Sequence, residues 1–269
     1  MRKIRLAYPA GLLAPGGAEL QMIALIEYLT QDGFSVDVVL RAGPGPLDEE
    51  AAAAGARIRQ TGELSDLDTP RRIAYTRRIG RYLNWMRMAR GRYDIVDSWL
   101  YPADVEVALS RPFTRTPVVM SARLGRSPRN RLGPLGTMVE WLVNRQTDMV
   151  VANSDVSAAD AVAGGVPPER ACVVRGGVRL PPTFTASQRR EARTRLGAPA
   201  DHLLIGNVGN VRSMKRHDLL IDAFASLLSE HPNLRLVLVG DGTLRSQIEQ
   251  QIERLGIGAH VVLMGTVSD

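Results

Sequence analysis

In the stretch VGNVRSMKRHDLLIDAF, residues 208–224, Arg212 and Lys215 fall in a short polar loop between a strand-like run and an amphipathic helical pattern. The first N–H groups of a helix have no partner within it and carry the positive end of its dipole. Two cations added there make a place suited to a phosphate or diphosphate. Ligands of open α/β sheets bind at the carboxyl ends of strands, and both cations lie at such an end. A second stretch, PGGAEL, follows the first strand and opens the first helix. Gly16 and Gly17 allow a tight turn with close backbone approach, although a glycine pair alone is equally a turn without a ligand. LVLVGDGTLRSQIEQ repeats the arrangement one crossover later. There Gly240 and Gly242 form a turn, and Asp241 either caps the helix or bonds a ligand hydroxyl.

Other chemistries find no residues. Gly11, Gly16 and Gly17 lack the three-glycine spacing of the dinucleotide fingerprint, so a nicotinamide cofactor is not expected. No HExxH, no Cys/His cluster and no Gly-x-Ser-x-Gly elbow occurs, which argues against zinc and serine hydrolases. The histidines, His202, His217, His231 and His260, form no ligand-spaced pair, and no metal site is expected. The single cysteine, Cys172, excludes an internal disulfide and fits a reducing cytoplasm; it reads as a buried structural thiol on a strand. A net charge of +6 over 269 residues suits an anionic small ligand or a membrane surface. No aromatic-studded basic motif points to nucleic acid. No apolar run approaches the roughly 18 residues of a membrane span.

The elements that must position these residues alternate along the chain. KIRLAY reads as a strand and AELQMIALIEYLTQDG as a helix whose Leu20, Ile23, Ala24, Glu27 and Tyr28 trace one side. FSVDVVL, GARIRQ, YDIVDSW, TPVVMSA, TDMVVANS and RACVVRGGV read as further strands with helical segments between them. Pro70 to Arg92 reads as a basic helix with an apolar stripe of Tyr75, Ile79, Tyr82, Leu83 and Met86; such a helix packs on the sheet or lies on anionic lipid. Beyond the Pro-Pro pair, LLIGNVG, LRLVLVG and HVVLMG are three strands with two helices between them. Strands alternating with helices imply parallel sheets joined by right-handed crossovers. The expected architecture is α/β: two Rossmann-like, doubly wound parallel-sheet domains, at residues 1–178 and 203–269, joined by a linker at 179–202. The second domain is expected to be incomplete.

The ordered series of motifs resembles a known family. GGAELQMIALIEYLTQDGFSVDVVL is similar to the glycine loop, helix and second strand of retaining GT-B glycosyltransferases of the large group-1 class. VVANSDVSAADAVAGGVPPERACVVRGGV resembles their segment leading to the interdomain turn. The run from Ile205 to Asp269 resembles the start of their donor-binding domain. The resemblance implies a nucleoside-diphosphate sugar as donor substrate, no metal, and a glycan, lipid-linked or small-molecule acceptor of a cell-envelope or secondary-metabolite kind. It implies a cytoplasmic enzyme with a route to the inner face of the membrane, and no nucleic-acid partner.

It also implies roles for residues. Lys215 grips the diphosphate, with Gly209, Asn210, Arg212 and Gly240 around it, and the main chain from Met264 to Val267 faces the nucleobase. Gly16 and Gly17 approach the sugar or acceptor. Three departures accompany this. The family's Arg five residues before Lys215 is Asn210 here, so Arg212 is expected to compensate. The His that follows the strand matching PVVMSA is replaced by Arg123, which takes a catalytic position without a ready acid–base role. The two glutamates that hold the donor sugar lie beyond the third strand of the second domain, so the sequence is expected to be a fragment. The alternatives are an inactive nucleotide-binding or regulatory module and a GT-B nucleotide-sugar epimerase, which would need acid–base carboxylates in the first domain.

Overall fold

The structure is a computed structural model that describes residues 2–41, 43–61, 82–99, 101–123, 129–178, 180, 182–198 and 200–267. The chain separates into two compact units, Met1–Arg179 and Leu180–Asp269.

In the first unit, β1 (Arg5–Ala10), α1 (Gly17–Gln31), β2 (Ser35–Leu40), α2 (Asp48–Ala53) and β3 (Arg57–Gln60) follow in order. Residues 82–89 are helical, here α3. Then come β4 (Ile95–Ser98), α4 (Tyr101–Thr114), β5 (Val118–Ala122), α5 (Arg129–Gln146), β6 (Met149–Ala152), α6 (Asp155–Ala163) and β7 (Ala171–Val173). Among the described residues the strands form one parallel sheet in the order β3-β2-β1-β4-β5-β6-β7. Chain direction across the sheet reverses between β1 and β4. That reversal is the topological switch point, where the helices on either side diverge and leave a crevice.

Burial on both faces explains why the inner strands are almost wholly apolar. In β2, Val36, Val38, Val39 and Leu40 are all buried. The exception, Asp37, is buried too. It pairs with Arg57 at 2.7 Å and with Arg59, and accepts from the Tyr93 hydroxyl at 2.9 Å. Burial pushes its carboxyl up, but Arg59, Arg57 and Tyr93 outweigh this and hold it below the ordinary range.

Three sequence expectations need correction here. The face of α1 that enters the core is Met22, Ile23 and Ile26, with Leu25 and Leu29 beside it, whereas Leu20 and Tyr28 are exposed. That face keeps the i, i+3, i+4, i+7 spacing without a charge, and the stripe through Glu27 does not. In α3 it is Trp85 and Ala89 that pack against the sheet, and Leu83 points outward; residues 62–81 of the basic stretch lie outside the described residues. Cys172 lies on a strand as expected, but on β7, the last of its sheet, where it is exposed.

The second unit carries α7 (Ala186–Arg195), β8 (Leu203–Val208), α8 (His217–Leu228), β9 (Leu234–Val239), α9 (Arg245–Arg254) and β10 (Val261–Gly265). The start of α7 is fixed by a reciprocal capping box between Thr185 and Gln188, inside the stretch read as a linker. Its parallel sheet runs β10-β9-β8. Ile221 and Phe224 of α8 pack with Ile248 and Ile252 of α9 onto Leu236 and Leu238 of β9. The outer strand β8 leaves Leu203 and Val208 exposed, as a short sheet predicts. No described helix is long and apolar enough to cross a membrane.

Candidate functional site

Each unit places sequence-predicted residues at the carboxyl ends of its strands. In the second unit the β8–α8 connection is short and tightly held. Gly209 donates to the Val239 carbonyl at 2.9 Å, and Val211 donates to the Asp241 carbonyl at 3.0 Å. Leu244 donates in turn to the Val211 carbonyl at 3.2 Å, so the two strand–helix loops are laced to each other. Gly240, at φ +128°, sits where an added Cβ would lie 2.2 Å from the Gly209 carbonyl oxygen. That contact is backbone on backbone, so only glycine fits. Gly242 meets the Val211 carbonyl in the same way, at 2.4 Å.

On this frame, residues 213–215 make one turn of 3-10 helix before α8. The Lys215 stem crosses Gly209 with Cε 3.7 Å from the position of a Cβ there. Lys215 and Arg212 are both exposed. Among the described residues neither side chain has a hydrogen bond or ion pair. Their neighbours differ: Arg216 holds the Asp218 carboxylate with two nitrogens, at 2.8 and 3.0 Å, and Arg245 pairs with Glu249 at 2.8 Å. Asn210 accepts from the Arg212 backbone N–H at 2.9 Å through its own carbonyl. Asp241 does not cap α9, whose start at Leu244 has no side-chain cap; its carboxylate accepts from the Gly242 N–H at 2.7 Å. Met264 and Val267 are exposed at the carboxyl end of β10, where Gly265 accepts from the Gly240 N–H at 2.7 Å. The second unit thus gathers Gly209, Asn210, Arg212, Lys215 and Gly240 at one end of its sheet, with Met264 on the outer strand of the same end and Val267 just beyond it.

In the first unit, α1 begins at Gly17 with Gly16 as its N-cap, which supplies no side-chain cap to the first N–H groups. A methyl added at Gly17 would meet nothing within 4 Å. Packing therefore does not demand glycine at that position, although its absence of bulk leaves the backbone open to approach. A small cleft beside it is lined by Pro9, Ala10, Leu12, Glu19, Met22 and Trp99.

Arg123 follows β5 and is enclosed by groups the sequence did not reveal. Its guanidinium carbon lies 3.9 Å from the centre of the Trp99 ring. Its Nη1 donates to Gln21 Oε1 at 2.7 Å. Trp99 is fixed in turn: its Nε1 donates to Asp97 Oδ2 at 2.8 Å, and Tyr8 meets it edge-on with centroids 5.9 Å apart. Ser121 donates to the other Asp97 oxygen at 3.1 Å. Burial pushes the Asp97 carboxyl up to about 7 against the hydrogen bonds from Trp99 and Ser121 and the charge of Arg123. Burial also lowers Arg123, offset by Asp97 and Tyr8, and raises Tyr8 above its ordinary range. Both Asp97 oxygens are engaged and the side chain is buried. It holds Trp99 and Ser121 in place. One signal for it was visible: a carboxylate in the middle of the apolar run DIVDSW must be either buried with partners or solvated. Gln21 gave no such signal.

Two Rossmann-like parallel-sheet units, each with its loops at the strand carboxyl ends, define the GT-B class of fold. Solved structures agree at the level of fold. Anabaena HepE in complex with UDP-glucose has a TM-score of 0.79 at 22% identity, covering 98% of this chain and 70% of that one. Sucrose-phosphate synthase from Thermosynechococcus elongatus has a TM-score of 0.75 at 18% identity, covering 99% and 71%. The chain belongs to Glycosyltransferase Family 4, whose profile matches residues 15–180; the profile of Glycosyl transferases group 1 matches residues 188–269. The D-inositol 3-phosphate glycosyltransferase of Actinosynnema mirum is 29% identical over 265 residues, which is 90% of this chain and 62% of that protein. The protein of the same name from Kineococcus radiotolerans is 30% identical over 251 residues, or 84% and 56%. The chain therefore spans less than two thirds of the length of these curated relatives.

Proposed function

We propose that this protein transfers a sugar from a nucleoside-diphosphate sugar to a hydroxyl-bearing acceptor, with retention of configuration and without a metal. One observation carries the reading: among the described residues Lys215 and Arg212 have no protein partner beside the start of α8, and the adjoining loop can pack against theirs only through the bare backbone of Gly240 and Gly242. As the sugar–phosphate bond breaks, negative charge grows on the leaving diphosphate. Cations and helix N–H groups aimed at that charge stabilise the transition state more than the ground state. Main chain near Met264 and Val267 takes the base, and Asn210 stands where the family's arginine would be.

The first unit takes the acceptor. The names of the relatives suggest a polyol phosphate, and the family's wider range includes glycans and lipid-linked acceptors of the cell envelope or of secondary metabolism. Arg123 is the cation offered to that acceptor or to the sugar at the catalytic position. Family membership and the free cations together favour transfer over mere nucleotide binding.

The test is calorimetry of UDP, GDP and ADP with the 269-residue chain and with Lys215→Ala. Binding of one nucleotide, lost in the variant, is the expected result. A folded wild-type chain that binds none of the three overturns the donor-site reading.

A further inference from the structure

We infer that Gln21 and Gly176 are positioning residues for Arg123: the bare backbone at 176 seats the Gln21 amide, and the seated amide aims the guanidinium. The inference rests on the transferase reading for what Arg123 acts upon, but its geometry stands by itself.

Gln21 lies one turn into α1, just past the Gly16–Gly17 loop, and its Oε1 accepts from Arg123 Nη1 at 2.7 Å. Its other amide atom faces Gly176, in the RGGV turn that follows β7. A Cβ built at 176 would lie 2.4 Å from Gln21 Nε2 and 2.9 Å from its Cδ. The backbone at 176 is not in the left-handed region, so a side chain there is conformationally permitted. The three nearest atoms such a Cβ would meet all belong to the glutamine amide: Nε2, Cδ and Oε1. A flexible side-chain end gives way easily, so an alanine at 176 is expected to cost little stability while forcing Gln21 off its seat.

The displaced amide would leave one flank of Arg123 unsupported. Trp99 holds the guanidinium plane by stacking, and Asp97 holds Trp99, but stacking leaves rotation within the plane free. The Gln21 bond removes that freedom. A planar fork binds an oxyanion or a pair of hydroxyls only when its edge points correctly, so this one contact sets which edge Arg123 presents. The turn after β7 is thereby linked to the catalytic position through a single side chain.

The experiment compares Gly176→Ala, Gln21→Ala and Gln21→Glu with wild type in the full chain. Arg123 side-chain N–H signals are assigned by their loss in Arg123→Lys. In wild type they should lie upfield, because the guanidinium sits over the Trp99 ring. Gly176→Ala and Gln21→Ala should move them to a common new position with little change in melting temperature, and Gln21→Glu, which keeps the acceptor oxygen, should retain the wild-type position. If sugar transfer is measurable, turnover should fall about tenfold to a hundredfold in the first two variants with donor affinity kept. Unmoved Arg123 signals in Gln21→Ala overturn the inference. Signals that move in Gln21→Ala but not in a folded Gly176→Ala overturn the role of Gly176. A wild-type chain without transferase activity leaves the spectroscopic arms to decide, so the failure of that reading and of this one are separate results.

Discussion

Arg123 and Lys215 are the two cations that the proposed function places at the reaction, and the molecule treats them in opposite ways. Arg123 is stacked on Trp99, bonded to Gln21 and faced by a buried carboxylate. Lys215 is exposed, its stem resting on Gly209 and its ammonium without a partner among the described residues. An arginine held on several sides has already lost its rotamer freedom at folding and presents a fixed edge. A free lysine keeps its hydration until a ligand arrives and can follow a phosphate as charge moves onto it. On the proposed function, the difference would give recognition of shape to the first unit and capture of charge to the second.

Rigidity in the second unit resides in the backbone beneath Lys215, and breaking that backbone should have the largest effect. Gly240→Ala forces a side chain into φ +128° against the Gly209 carbonyl, at 2.2 Å. Strain and overlap together should cost about 3 kcal/mol. The three tryptophans, Trp85, Trp99 and Trp141, all lie in the first unit. Denaturant unfolding should therefore show the β8–β10 amides losing exchange protection while tryptophan fluorescence keeps its midpoint. A shift of both together would mean that the loop strain is not local.

On the Arg123 side the sensitive quantity is pH. The Asp97 carboxyl is raised to about 7 from an unfolded value near 4. Between those values the native state binds a proton that the unfolded state does not, so stability falls as pH rises. The loss runs at up to about 1.4 kcal/mol per unit and is complete above the folded value. Asp104, raised to about 6 by burial, adds to the same trend. Asp94, held at about 2 by Arg5, acts in the opposite sense but only as pH falls below the ordinary carboxylate range, outside this window. Asp97→Asn imitates the protonated form. Relative to wild type it should gain about 2 kcal/mol between pH 5 and pH 8, read from fluorescence-monitored unfolding. A difference that stays constant with pH would show that Asp97 is ionised throughout and that the pairing with Arg123 is stronger than its burial.

Lys215→Ala should follow in size. One charge-assisted contact to phosphate is worth about 1.5–3 kcal/mol, so nucleotide affinity should fall about tenfold to a hundredfold. Added salt should narrow the gap between variant and wild type, because an exposed cation is screened. An equal gap at low and high salt would mean that Lys215 acts through the shape of the loop instead.

The same contrast explains what was legible in the sequence. Local signals reported well: the alternation of strand and helix, the glycine turns, and the cations before α8 all come from residues within a few positions of each other. The surroundings of Arg123 come from Gln21, Asp97, Trp99 and Gly176, drawn from α1, β4 and the turn after β7, and no spacing rule joins them. The buried side of α1 is not legible from the stripe through Leu20, Ile23 and Tyr28, because only the sheet decides which face turns inward. Cys172 was misread for the related reason that strand order is not in the strand itself: β7 is an outer strand, which exposes a thiol that a central one would bury.

The smallest effect separates cations that look alike in sequence. Arg212 and Arg216 flank Lys215, and composition does not distinguish them. Among the described residues Arg212 has no partner, whereas Arg216 holds Asp218 with its guanidinium, in a left-handed backbone conformation at φ +49°. A paired arginine must give up its carboxylate before it can serve a phosphate, and the exchange gains little. Arg212→Ala should therefore weaken nucleotide binding about twofold to fivefold, as one exposed cation among two and a helix terminus. Arg216→Gly, which suits the left-handed position, should leave affinity unchanged. The reverse ranking, measured in the same titrations, would mean that the Asp218 pair opens on binding and that Arg216 is the residue standing in for the arginine missing at Asn210.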